Sequence, residues 1–432
     1  MTQIATTAPA PPAPPTRASA AETRAAARRH FFTGTPGRMR INAIVASLLS
    51  LAFGLTGFFA LRALDGSINR AGANTEQVVR VQQIYTDLLR ADAATTNGFL
   101  QGGEEPAQLR KTYDEAIARV ATNIADAANA QPADGKALAA LNDKLGFYTN
   151  YVAQARTYNR QTLPVGAQYL TLASNQLRSD ILPIVATLST ANQARAETEL
   201  GAGTIAIVAL VVGLVTIAVL GYIAWWLAHR THRILNVPLT GAIALVVGGL
   251  ALIVTAMISA TSTMNSVKTG DFASAVQLAT ARGAAYDAKA NESLTLVSRG
   301  SGKKFETNYQ TAIAAARTAL DKAGYAAGAA PDLGGELAAY DTAHKTIRAL
   351  DDGGDWDQAV ADATTTKDGS ANALFTTFDT ASGRVLDAKA KGAVSSLDRL
   401  ERPLFPWLVG IAGVLAALAA SRSMTRRIEE YR

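Results

Sequence analysis

The chain has 432 residues, 41 basic against 35 acidic, a net charge of +6, and a hydrophobic fraction of 49%. It has no cysteine, which excludes disulfides and thiol chemistry. Much of the basic excess lies beside apolar runs and no nucleic-acid motif accompanies it, so it reads as a topology and lipid-headgroup signal rather than a nucleic-acid surface.

Residues 1–37 form an Ala/Pro-rich tail that cannot bury a core and is expected to be disordered and cytoplasmic. Four apolar runs follow, at 41–61, 201–228, 238–261 and 403–421, none containing Asp, Glu, Lys or Arg. Each is long enough to cross a hydrocarbon core of about 30 Å as a helix. The first run, longer than a secretory h-region, reads as an uncleaved signal anchor. Arginines cluster before the first run, in the linker 229–237 and in the tail 422–432, which places both termini and the linker in the cytoplasm. The segments 66–200 and 263–402 are then external, in a plasma-membrane protein.

Both external segments carry helical spacing. In the first, Leu138, Leu141, Leu145, Tyr148, Val152 and Ala155 make a seam spaced alternately three and four. Val81, Ile84 and Leu88 begin another, Ile117, Val120, Ile124 and Ala127 a third. Leu170, Ala173, Leu177, Ile181, Ile184 and Leu188 continue the pattern with one slip. Breaks at Gly102-Gly103, Gln131–Gly135 and Pro164 give four helices, the last kinked at Pro183. The second segment repeats the plan. Tyr113, Ala116, Ile117 and Ala118 recur as Tyr309, Ala312, Ile313 and Ala314; Leu337, Tyr340, His344 and Ile347 form its third seam, and Leu374, Phe378, Ala381 and Val385 mark its fourth helix. The expected fold is therefore all-α: four transmembrane helices with two extracytoplasmic up-down four-helix bundles, arranged as a tandem duplication of 38–228 and 238–421.

No nucleophile elbow, phosphate loop, zinc spacing or dinucleotide fingerprint is present, and the chain is expected to be neither an enzyme nor a cofactor or metal protein. Asp351 to Asp357 lacks the calcium-loop register and reads as a solvated turn, with Trp356 exposed as a candidate external partner contact. His229 and His232 read as part of the positive fringe, and His344 as a satisfied core histidine. The apolar runs carry no ionisable residue at membrane depth, against a transporter. Their small residues, among them Gly54, Gly57, Gly213, Gly241, Gly248, Gly249 and Gly413, suit close helix packing. Arg230, Arg233, Arg426 and Arg427 are candidate residues for docking a cytoplasmic partner.

A span–bundle–span unit is the sensory half of many bacterial receptors. With so little chain left for the cytoplasm, an output is expected to pass through another protein. The two tandem units, the linker Arg230-Thr-His-Arg-Ile-Leu-Asn-Val-Pro238 and the terminus Arg427-Ile-Glu-Glu-Tyr-Arg432 resemble the actinobacterial GlnX membrane proteins. The resemblance implies a partner of the glutamate- and aspartate-binding lipoprotein GlnH outside and of the Ser/Thr kinase PknG inside, relaying amino-acid availability. It brings no site residues. The residues themselves leave open a direct small-molecule chemoreceptor, which a polar and aromatic pocket between helices would favour, and an envelope scaffold.

Overall fold

The computed structural model describes residues 34–199, 204–231 and 236–429. Among them the chain is helical, without a strand. Most of the Ala/Pro-rich tail lies outside the described residues. The chain divides into two compact units: residues up to Arg62 with Thr204–Ala256 and Pro403 onward, and Ala63–Gly203 with Met257–Arg402.

Helix α1 (Gly34–Leu100) contributes to both units without a break. The passage from the expected span, ending at 61, to the expected bundle, starting at 66, lies inside this helix. The intervening residues contain only one helix-weakening residue, Gly66, and a lone glycine costs about 1 kcal/mol, too little to end a helix whose flanking turns are packed.

The first unit gathers the apolar part of α1, α6 (Thr204–Thr231), the start of α7 (Val237–Thr269) and α13 (Leu404–Glu429). Among the described residues four helices are long and apolar enough to cross a membrane, and each overlaps one of the four predicted runs; the start of the run 201–228 lies outside the described residues. Leu48, Phe59, Val211, Val247, Trp407 and Leu418 are exposed, an apolar surface compatible with lipid tails. Contact inside the unit runs through small residues. A Cβ on Gly54 would stand 2.9 Å from Gly413 Cα, so only glycine permits this approach of α1 and α13. The buried Phe53 lies against Gly213 and Gly249, where a Cβ would come within 3.0 and 3.1 Å of its ring. Gly241 and Gly248 face open space and pack against nothing. Ser47 Oγ donates to Ala417 O at 3.0 Å, and Asn236 Nδ2 to Ser423 Oγ at 2.8 Å.

The second unit contains the rest of α1, then α2 (Ala107–Ala130), α3 (Gly135–Arg160), α4 (Val165–Gln176) and α5 (Leu182–Glu199). After the end of α7 come α8 (Asp271–Val297), α9 (Lys303–Ala323), α10 (Leu333–Asp352), α11 (Trp356–Thr364) and α12 (Ala371–Asp398). The three predicted breaks of the first segment fall where the helices end. Its α3 seam, Leu138 to Ala155, is buried at every predicted position. The slip in the fourth seam has a cause. Pro183 has no N–H to return to the residue four before it, and the helix widens into a π-turn over Leu177–Ile181 between α4 and α5. The turn absorbs one extra residue, so Val185 rather than Ile184 joins Leu188 in the core.

The second segment departs from the predicted plan in two places. An additional helix, α11, stands between the expected third and fourth helices, its N-terminus capped by Asp355, which accepts from Gln358 N at 3.3 Å. In α12 the buried face is Ala371, Phe375, Phe378, Ser382 and Leu386, while Leu374, Ala381 and Val385 sit at its half-buried edge. Gly324, with φ of +85°, ends α9 in the left-handed conformation glycine adopts at no cost. The two segments do not keep separate interiors. One continuous core contains Val81, Leu88, Tyr148 and Leu188 together with Leu278, Tyr309, Tyr340 and Phe378. Gly283 on α8 admits the ring of Tyr85 on α1, which a Cβ would meet at 2.8 Å or less.

Candidate functional site

Polar groups inside a helical core are expensive, so where they gather is informative. In this unit one group, Asp134 with Asn192 and Arg195, lies inside the first segment, and two larger ones lie along the seam between the segments and inside the second. The first of the larger two centres on Asp92 of α1, which is fully buried. Asp92 accepts from Ser174 Oγ at 2.7 Å and from Tyr148 OH at 3.4 Å, and pairs with Arg178 Nη1 at 2.9 Å. The same guanidinium reaches Asp287 on α8 through Nη2 at 2.6 Å. Burial works against the charge on Arg178, but Asp92 and Asp287 outweigh it and raise its pKa, so the cation is fixed. One arginine thereby clamps a carboxylate from each segment.

The second group forms a chain through the second segment. Lys289 Nζ lies 2.5 Å from Glu292 Oε1; the other oxygen of Glu292 lies 3.0 Å from His344 Nδ1. His344 Nε2 faces Glu306 at 3.2 Å, and Glu306 pairs with Arg348 at 3.4 Å. Tyr309 stacks on the imidazole at 3.4 Å between centroids. Burial alone would depress His344, yet its bonds to Glu292 and Glu306 outweigh burial and raise its pKa above the ordinary 6.5. Burial likewise opposes the charge on Glu292, and Lys289 and His344 overcome it, holding the carboxyl below its ordinary value. The histidine is the core residue its helical spacing predicts.

A cavity opens at each end of this chain. One, of about 340 Å³, lies between the segments, lined by Arg90, Ala93, Ala94 and Asn97 of α1 and by Tyr286, Lys289, Phe375 and Asp379 of the second segment. The other, of about 770 Å³, is edged by Arg299, Lys303, Glu306, Arg348 and the Asp351–Asp357 stretch.

Trp356 belongs to the second cavity and corrects the expectation of an exposed ring. It is half-buried; its Nε1 donates to Leu296 O at 2.9 Å, and the Arg299 guanidinium lies 3.9 Å from the ring centroid. The indole N–H needs a buried acceptor, and the end of α8 supplies one, which turns the ring inward. Arg299 holds a left-handed backbone, φ +35°, in making this contact. The neighbouring acids are engaged: Arg348 pairs with Asp351 and Asp352, and Asp355 caps α11.

Of the predicted docking residues, Arg233 lies outside the described residues, as do the side chains of Arg230, Arg426 and Arg427, whose backbones are helical in α6 and α13. His232 also lies outside them. Sequence reasoning passed over Asp92, Arg178, Glu292 and Lys289. Asp92 and Glu292 did leave a signal, a carboxylate embedded in an apolar face, and Lys289 stands one turn before Glu292 on the same helix, but nothing in the spacing of Arg178 marks it as the partner of Asp92.

Residues 67–201 match the family model described as an actinobacterial sensor domain. Comparison with curated proteins and with solved structures gives no match.

Proposed function

We propose that this chain is a multi-pass membrane sensor that relays an external chemical state to a soluble cytoplasmic protein. The observation that carries the reading is the match of residues 67–201 to an actinobacterial sensor domain in a chain with four helices able to cross a membrane. The uninterrupted α1 supports it, because a helix that leaves the apolar segment without a break transmits displacement along its axis. In this reading the segments are a duplicated extracytoplasmic sensory element, both termini are cytoplasmic, and the chain performs no catalysis. The resemblance of its linker and terminus to the GlnX proteins extends the proposal: a lipoprotein that binds glutamate or aspartate acts outside, and a Ser/Thr kinase receives the signal inside, docking on Arg230, Arg233, Arg426 and Arg427.

Two measurements test it. Gly135→Cys and Gly354→Cys should react with an impermeant thiol reagent on intact cells and Asn236→Cys should not; the reverse pattern inverts the topology. Arg426→Glu with Arg427→Glu should insert normally yet lose cytoplasmic partners in cross-linking. Unchanged capture removes the docking role.

A second reading, direct recognition of a small molecule by the sensory unit, is favoured by one observation: the cavity between the segments is lined by both aromatic and charged side chains.

A further inference from the structure

The cavity between the segments has a definite origin. Along α1, Arg90, Ala93, Ala94 and Asn97 fall on one face at three- and four-residue spacing, and Gln101 follows in the turn after it. The two alanines are too small to fill the gap to the second segment, and the longer residues stand at its ends. Opposite them, Tyr286 and Phe375 meet edge to face at 5.0 Å between centroids, which leaves an aromatic wall across from an alanine floor. Gln101, Gln108 and Thr366 at the rim are exposed, so the space communicates with solvent.

Its polar groups are unequally committed. Lys289 is held by Glu292 at 2.5 Å, and Asp379 by Arg282 at 2.5 Å. Arg90 reaches Asp379 only at 3.5 Å and is a third exposed. It is the cation with hydrogen-bonding capacity left to give, and its planar fork suits a carboxylate. At the other end Asn97 is 3% exposed. Its Nδ2 donates to Ala363 O at 3.2 Å, which fixes the orientation of the amide, and its Oδ1 has no hydrogen-bond partner among the described residues. A buried acceptor in that state calls for a donor. Arg90 and Asn97 stand seven residues apart, about 10 Å along the helix.

We propose that this cavity binds a small aromatic acid, its carboxylate on Arg90, its ring between Ala93-Ala94 and Tyr286-Phe375, and a hydrogen-bond donor at its far end on Asn97 Oδ1. The inference rests on the sensor reading and supplies that reading with a ligand class. The cavity's volume of about 340 Å³ accommodates one ring with its two substituents.

The test is isothermal titration of the full chain, purified in detergent, with 4-hydroxyphenylacetate, which carries acid and donor at opposite ends of one ring. Saturable one-to-one binding is expected. Phenylacetate, lacking the donor, should bind at least tenfold more weakly, and so should tyramine, whose ammonium replaces the acid. Arg90→Gln should weaken 4-hydroxyphenylacetate at least tenfold. Ala94→Leu should fill the floor and abolish binding, with an unchanged melting temperature in the absence of ligand showing that the fold is intact. If Ala94→Leu melts early, Ala93→Val serves as the milder filling and should weaken binding at least tenfold. No saturable heat with the wild-type chain, or wild-type binding by the filled variants, overturns the site. Equal affinity for the two acids overturns the role of Asn97. Any of these results leaves the relay to a cytoplasmic partner to be decided by cross-linking alone.

Discussion

The two segments of the helical unit solve the same burial problem with different chemistry. Tyr148 in the first and His344 in the second stand 196 residues apart, the interval that also separates Tyr113 from Tyr309. Each touches a buried carboxylate of its segment's leading helix, Asp92 for Tyr148 and Glu292 for His344. In the first segment that carboxylate is tied to an arginine which also crosses to Asp287, and the guanidinium stays charged over the physiological pH range. In the second, the carboxylate lies between a lysine and a histidine, a titratable group whose pKa its carboxylate partners raise above the ordinary 6.5. One segment thus carries a permanent fastening and the other a titratable group.

The largest way to break this comparison is to remove the fastening. Arg178→Ala leaves Asp92 buried and unpaired, and should cost about 3–5 kcal/mol in denaturant unfolding of the purified chain. A loss below about 1 kcal/mol would show that Ser174 and Tyr148 suffice for Asp92. Lys289→Met should cost less when His344 is protonated, because the imidazolium then balances Glu292. Its penalty should therefore be larger at alkaline than at mildly acid pH, whereas that of Arg178→Ala should stay level across the same range.

The titratable side has a definite sign. His344 is raised in the folded chain, so its contribution is fully present below 6.5 and is lost as pH rises through the raised value. The groups facing it are Glu292, Glu306, Tyr309 and, beyond Glu306, Arg348; among these the carboxylates titrate far below that window. Unfolding free energy of the wild-type chain should fall as pH rises above 6.5, and His344→Gln should flatten that slope. An equal slope in the variant would place the titrating group elsewhere.

The smallest effects concern how each segment begins. The first is reached through an unbroken helix, the second through a break at Gly270. A Cβ at Gly270 would stand 2.7 Å from Ser266 O, a backbone atom that cannot yield cheaply, and Gly270→Ala should cost about 1–3 kcal/mol. At Gly66, inside α1, a Cβ would meet only the far end of the Arg70 side chain, and Gly66→Ala should stabilise by up to about 1 kcal/mol. Thermal melts of the two variants should move in opposite directions.

Periodicity exposed much of this fold because apolar burial is local in sequence. The α3 seam and the three breaks of the first segment are legible from side-chain size and turn chemistry alone. The π-turn was visible only as an irregularity of spacing before Pro183. Helix α11 was hidden by the acids before it: Asp351 and Asp352 end α10 and Asp355 caps α11, and with Asp357 they look like a solvated turn until Arg348 and the helix cap account for three of them. The candidate site was the least legible part. The partners of Asp92 and Asn97 arrive from other helices, as does His344 for Glu292, and Asn97 meets Ala363 across 266 residues of chain. Nothing in either local pattern marks that meeting.

The π-turn at Leu177–Ile181 also has a consequence for how this segment tolerates change in length. It holds one residue more than a regular helix requires, an insertion already accommodated. Deleting a single residue within it should restore regular helix and keep Val185, Leu188 and Asn192 facing inward. The same deletion a turn later, after Pro183, would rotate the rest of α5 by about 100° and carry Asn192 away from Asp134, its partner at 2.7 Å. Lineages of this segment would then be free to lose a residue at one place on the helix and constrained against losing one just beyond it.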